Sequence, residues 1–189
     1  MPVARPFQIF FFCLFLITAL PFTAMAGNAA MSDTSVAADQ DFLMLRTAVT
    51  GAFNEKMEAA IKGGVPVTFT FFARVSKTRR LWFDRDIAEH RVTHMIKYDN
   101  LKEEFTVRRS WEGEKTLVTK SLDQARQAMS RIEGFPLCRL NDLEKGTRYR
   151  IGVKAELDKM TLPLYLHYVL FFVSLWDVET DWQYIDFTY

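Results

Sequence analysis

Val65-Pro66-Val67-Thr68-Phe69-Thr70-Phe71-Phe72-Ala73-Arg74-Val75 decides the reading of this chain. Val67, Phe69 and Phe71 alternate with Thr68, Thr70 and Phe72, and β-branched and aromatic residues dominate the run, which is the pattern of a buried strand. On its N-terminal side Gly63-Gly64 stops a short helix that Asn54 opens and that runs through Lys62, with Met57, Ala60 and Ile61 on one face. Phe42 to Val49 precedes that helix and reads as another strand. On the C-terminal side, Arg79 to Asp86 reads as a polar connection with an aromatic plug, Trp82 among the charges. His90 to Tyr98, Glu104 to Trp111 and Lys115 to Thr119 follow as strands, separated by the turn sequences Asp99-Asn100 and Glu112-Gly113-Glu114. Short strands joined by short turns predict an antiparallel meander.

Ser121 opens a second helix, with Gln124 completing a capping box and Leu122, Ala125, Ala128, Met129 and Ile132 on one face, until Gly134 and Pro136 end it. Pro136 to Leu140 reads as a short strand and Asn141 to Gly146 as a turn. Thr147 to Leu157 then sets Tyr149, Ile151, Val153 and Ala155 on a dry face against Arg148, Arg150, Gly152 and Lys154 on a wet one. At the end, Trp182, Tyr184, Asp186 and Thr188 share one side of a strand and Gln183, Ile185, Phe187 and Tyr189 the other. The expected fold is a single α+β domain over residues 42–189, mainly antiparallel β, a sandwich-like sheet with one or two packed helices.

The N-terminus reads as a secretory signal over residues 1–26: Arg5, then the apolar Phe7 to Phe22, then Ala24-Met25-Ala26 before a cut at Gly27. The run is shorter than the roughly 20 residues that span a bilayer, and Pro21 interrupts it. Residues 27–41, small and polar, read as a flexible leader. Of 24 basic side chains Arg5 alone lies in the signal, so 23 remain against 23 acidic ones. That balance leaves no electrostatic footprint for nucleic acid. Cys13 lies in the signal, so Cys138 has no internal disulfide partner and is expected to be buried in a strand.

Leu162 to Trp176 carries no formal charge and is too short to span a membrane. It admits three readings: a core element covering the sheet, an apolar loop or helix that meets a lipid surface or a partner, and a second membrane segment. Phe171, Phe172, Leu175 and Trp176 are the candidate partner or lipid contacts. The terminal aromatic Tyr189, with apolar residues two and four before it, has the form of an outer-membrane barrel signal, but charged residues on the would-be lipid face argue against a barrel.

Chemistry is thinly represented. His90 and His94 share a face, yet neither Glu89 nor Asp86 completes a zinc spacing, and both are expected to be exposed histidines decorating a strand. Asp84 and Asp86 among Arg79, Arg80 and Arg85 read as a solvated ion-pair cluster. No nucleophile motif and no glycine-rich phosphate loop occurs. The expectation is a noncatalytic protein with no cofactor and no metal.

Gly64 to Phe69, Leu81-Trp82-Phe83-Asp84, Lys97-Tyr98-Asp99-Asn100-Leu101, Ser121 to Ala125, Tyr149-Arg150-Ile151, Leu162-Pro163 and Asp181-Trp182, in that order, resemble a bacterial family, domain of unknown function 4390 (DUF4390). The resemblance runs from about Phe42 to Tyr189. It implies a small exported, periplasmic protein of a Gram-negative bacterium with no assigned activity, and genes of the family are sometimes neighbours of membrane sensor kinases, which admits a signalling accessory with such a kinase as partner. The functional expectation is thus an exported binding or accessory protein that engages an envelope or membrane-associated partner. The alternative is an envelope structural or lipid-binding protein attached through residues 162–176.

Overall fold

The computed structural model describes residues 29–79, 81–158 and 178–189. The expected signal over residues 1–26 and the segment 162–176, with Phe171, Phe172, Leu175 and Trp176, lie outside the described residues.

Among the described residues the order is β1 (Ala30–Asp39), β2 (Phe42–Thr50), α1 (Glu55–Lys62), β3 (Val67–Lys77), β4 (Arg85–Asp99), β5 (Glu104–Arg109), β6 (Thr116–Thr119), α2 (Leu122–Ser130), β7 (Arg131–Arg139), β8 (Arg148–Leu157) and β9 (Gln183–Thr188). Two antiparallel sheets form: a three-stranded one in the order β1-β2-β7 and a six-stranded one in the order β6-β5-β4-β3-β8-β9. The fold is therefore α+β and sandwich-like, as the alternation predicts.

The opening stretch becomes β3, at the centre of the larger sheet. Its inward set, Phe69, Phe71, Ala73 and Val75, meets Val92 and Ile96 of β4 and Ile151, Val153 and Ala155 of β8, all buried. Leu43 and Leu45 of β2 and Ile132 and Leu137 of β7 close this core from the smaller sheet. Helix α1 seals one side with Met57, Ala60 and Ile61, while Phe53 sets its ring edge-on to Phe69 at 5.6 Å. Helix α2 adds Ala125, Ala128 and Met129 beside β4 and β5.

Both expected caps form. Asn54 Oδ1 accepts from the Met57 amide at 2.9 Å, and Ser121 Oγ accepts from the Gln124 amide at 3.4 Å. The return half of the second capping box is replaced: Thr119 Oγ1, and not the Gln124 side chain, accepts from the Ser121 amide at 3.1 Å, and Gln124 Oε1 accepts from Thr119 at 2.7 Å.

Two expectations need correction. Residues 30–39, read as part of a flexible leader, form β1. Its polar composition withholds a strand pattern, but an edge strand is held by its backbone ladder, here from Ala30↔Thr50 to Asp39↔Phe42, and needs only a few apolar contacts, supplied by Met31 and Val36. The second helix is shorter than its sequence pattern predicts. It ends at Ser130, and Arg131 goes straight into an extended conformation, so Ile132 is buried as a strand residue opposite Thr47. Gly134, at φ 82°, is then no helix stop: it is the extra residue of a bulge between Glu133 and Phe135, and Leu137 is the extra residue of a second. The bulges let a strand containing Pro136 pair along β2.

Candidate functional site

The outer face of the larger sheet is where side chains of opposite character meet. Three rows run across it, set by register. Asp86, Ser76, Arg150 and Asp186 make the first; Glu89, Arg74, Gly152 and Tyr184 the second; Arg91, Phe72 and Lys154 the third, with Trp182 next to Lys154 just ahead of β9. These are the residues β3, β4, β8 and β9 turn away from the core, since side chains alternate sides along a strand.

Cations and rings interleave in this array. The Arg74 guanidinium lies 5.5 Å from the Trp182 ring centre, Arg150 lies 5.8 Å from Tyr184, and Arg91 lies 5.7 Å from Phe72. The Lys154 ammonium sits 5.5 Å from Phe72 and 5.6 Å from Trp182, between the two. All fall within the range of cation–π attraction. Trp182 and Tyr184 are nearly parallel, at 17° and 6.2 Å, over Gly152. A Cβ there would stand 2.9 Å from the Tyr184 ring, so the absent side chain is what lets the rings settle onto the backbone.

Carboxylates hold the cations in place. Arg150 forks onto Asp186, at 2.7 and 3.1 Å, and Lys154 bonds Glu179 at 2.8 Å and pairs with Glu156. Arg74 donates to Glu89 at 3.2 Å, while its Nε has no hydrogen-bond partner among the described residues. Asp86 accepts from Ser76 at 2.7 Å. The hydrogen bonds from Arg150 hold the Asp186 carboxyl below its usual range, and those to Glu156 and Glu179 push Lys154 up. Both therefore stay charged through neutral pH. A cleft of about 310 Å³ opens here between Arg74, Arg150, Trp182 and Tyr184 on the sheet and Phe83 and Asp84 on the β3–β4 connection.

A cleft of about 560 Å³ over Asp33, Arg46, Arg131 and Glu133 of the smaller sheet has no aromatic platform.

The histidines of the sequence reading lie elsewhere, and their expected exposure is corrected. β4 turns His94 inward with Val92 and Ile96, where it is fully buried. Trp111 donates its indole N–H to Nε2 at 3.1 Å, so Nδ1 carries the hydrogen and donates to the Met129 carbonyl at 3.0 Å. Burial lowers its pKa from 6.5 to about 4. His90 Nε2 meets the Leu137 carbonyl and sets its ring edge-on to Phe135. Among the described residues no group of three or more His, Cys, Asp or Glu side chains is placed to hold a metal. Cys138 is half-buried in β7, and burial, with Asp142 nearby, pushes its thiol up, away from the reactive thiolate.

Trp82 is no plug. It is 78% exposed, between Leu81 at 90% and Phe83 at 94%.

Compared with known families, residues 26–186 match the description "Domain of unknown function (DUF4390)". The chain belongs to the DUF4390 family. That match covers all the described strands and helices to Asp186, so the two-sheet architecture and the outer-face array sit within the DUF4390 domain itself. No curated protein matches the chain, and no solved structure does.

Of the site residues, the sequence pattern placed Arg150, Gly152 and Lys154 on one wet face and Trp182, Tyr184 and Asp186 on one side of the last strand. It did not bring these sets together, nor add Phe72 and Arg74. The signal lay in the alternation of the opening strand, whose second face is mixed apolar and charged where a solvated face would be polar.

Proposed function

We propose that this DUF4390 protein is an exported, noncatalytic binding or accessory protein that engages an envelope or membrane-associated partner through the outer face of its larger sheet. One observation carries the reading: Arg74, Arg150 and Lys154 are paired with carboxylates and set against Phe72, Trp182 and Tyr184, beside an open cleft that Arg74, Arg150, Trp182 and Tyr184 line. Aromatic and arginine side chains are the groups most enriched where proteins meet partners, and here they are ordered before any partner arrives, which lowers the entropic cost of binding. Export is supported by the signal pattern of residues 1–26.

The test places a photo-crosslinking residue at Tyr184 in the producing cell, with a second at Leu101, an exposed position on the turn between β4 and β5, as control. A single envelope protein joined from Tyr184 and not from Leu101, with the recovered chain starting at Gly27, supports the reading. Equal labelling from both positions, or a chain recovered from the cytoplasm with its first residues intact, overturns it.

A further inference from the structure

Four basic and two acidic residues lie between Lys77 and Asp86, and in their midst stand three consecutive large apolar residues, Leu81-Trp82-Phe83. In the fold this run is the connection between β3 and β4, the two longest strands of the larger sheet. Each of the three residues is exposed, by 90%, 78% and 94%, so none is packed into the core formed by the described residues. Three neighbouring apolar residues left bare are unusual for a soluble surface. The connection is nonetheless shaped: Asp84 Oδ1 accepts from the Arg79 amide at 3.2 Å, closing its base.

The charges around it are sorted. Asp86 is taken up by Ser76 and lies 3.8 Å from Arg74, and Glu144 is paired with Lys77. Asp84, besides holding the loop base, lies near enough to Arg150 to stabilise its charge. Among the described residues, Arg79, Arg85 and Arg148 make no ion pair within 4 Å. The acids at this end of the sheet are thus matched internally, and unmatched arginines flank the apolar tip.

We infer that Leu81-Trp82-Phe83 inserts into the interfacial layer of a bilayer containing anionic lipid, with Arg79 and Arg85 on its headgroups. A protein pocket is shaped for a side chain from one direction, whereas these three are each at least 78% exposed, and a fluid medium covers all of them at once. Tryptophan and phenylalanine favour the headgroup boundary, and basic residues beside them are drawn to anionic lipid. The inference rests on the reading that the protein works at the envelope and deepens it: Phe83 borders the cleft with Trp182 and Tyr184, so an inserted loop presents that cleft to a partner in the same membrane.

The purified chain, as the cell leaves it, is floated with vesicles of phosphatidylethanolamine and phosphatidylglycerol, and with neutral phosphatidylcholine vesicles. Expected is binding to the anionic vesicles that weakens with salt, falls by about tenfold or more in the Leu81→Ser/Trp82→Ser/Phe83→Ser variant, and drops on anionic vesicles only in Arg79→Glu/Arg85→Glu. Trp82→Phe should still bind but lose part of the fluorescence quenching by brominated lipid. Because the loop touches no core, thermal unfolding of the triple variant should match the parent. Equal binding of parent and triple variant overturns the inference, most directly if Phe171→Asp/Phe172→Asp abolishes binding in its place. A parent that floats with neither vesicle also overturns it while leaving the Tyr184 crosslink to decide the partner reading by itself.

Discussion

The indole N–H of Trp111 points at Nε2 of His94 across 3.1 Å, and this fixes His94 as a neutral ring in the core. Its pKa of about 4 in the fold against 6.5 unfolded has a definite sign. Between those values the unfolded chain binds the extra proton, so stability rises with pH from about 4 to 6.5 and gains nothing further from this group above it. The span is on the order of 3 kcal/mol. His94→Phe should cost roughly 2–4 kcal/mol at neutral pH by stranding Trp111 N–H and the Met129 carbonyl. That cost should shrink towards pH 4, as urea denaturation across the window measures.

Gly152→Val should drive Trp182 and Tyr184 off the sheet, since even a Cβ stands 2.9 Å from Tyr184. The loss should be about 1–3 kcal/mol, that of an overpacked site, with a red shift in tryptophan emission. Crosslinking from Tyr184 should fall in the same variant while the far-ultraviolet circular dichroism is retained.

Asn54→Ala should lower stability by about 1 kcal/mol, the usual cost of an N-cap. Ser121→Ala should cost less, because its contact to the Gln124 amide is longer, 3.4 Å against 2.9 Å, and Thr119 serves the Ser121 amide independently. Paired thermal melts rank the two; a larger loss at Ser121 would contradict the geometry.

Amide hydrogens in peptides covering Ala30 to Asp39 should exchange well below unstructured rates, since this strand pairs along the length of β2. Removing residues through Asp39 should then speed exchange in Phe42 to Thr50, which becomes the edge. Hydrogen-exchange mass spectrometry reads both, and coil-like exchange over 30–39 would refute the pairing.

What was legible locally was what local pattern carries. Phe69 and Phe71 alternate with threonine, Asn54 stands ahead of a helical stripe, and Tyr149 to Ala155 alternate with cations; each declares its element because its own neighbours supply the burial or the cap. Arg131 to Phe135 declares nothing, for helical spacing of Met129 and Ile132 competes with a strand whose evidence lies in β2. His94 reads as an exposed strand histidine until Trp111 and Met129, 17 and 35 residues away, are known to meet it.

The sequence by itself determined an α+β chain of alternating strands with two capped helices, because alternation and capping act within a few residues. Only the tertiary structure decided that residues 30–39 are a strand, that His94 is buried, and that Arg74, Gly152 and Tyr184 share one row. Those outcomes depend on register between strands far apart in the chain, and a register is a property of two segments together, which neither segment carries alone.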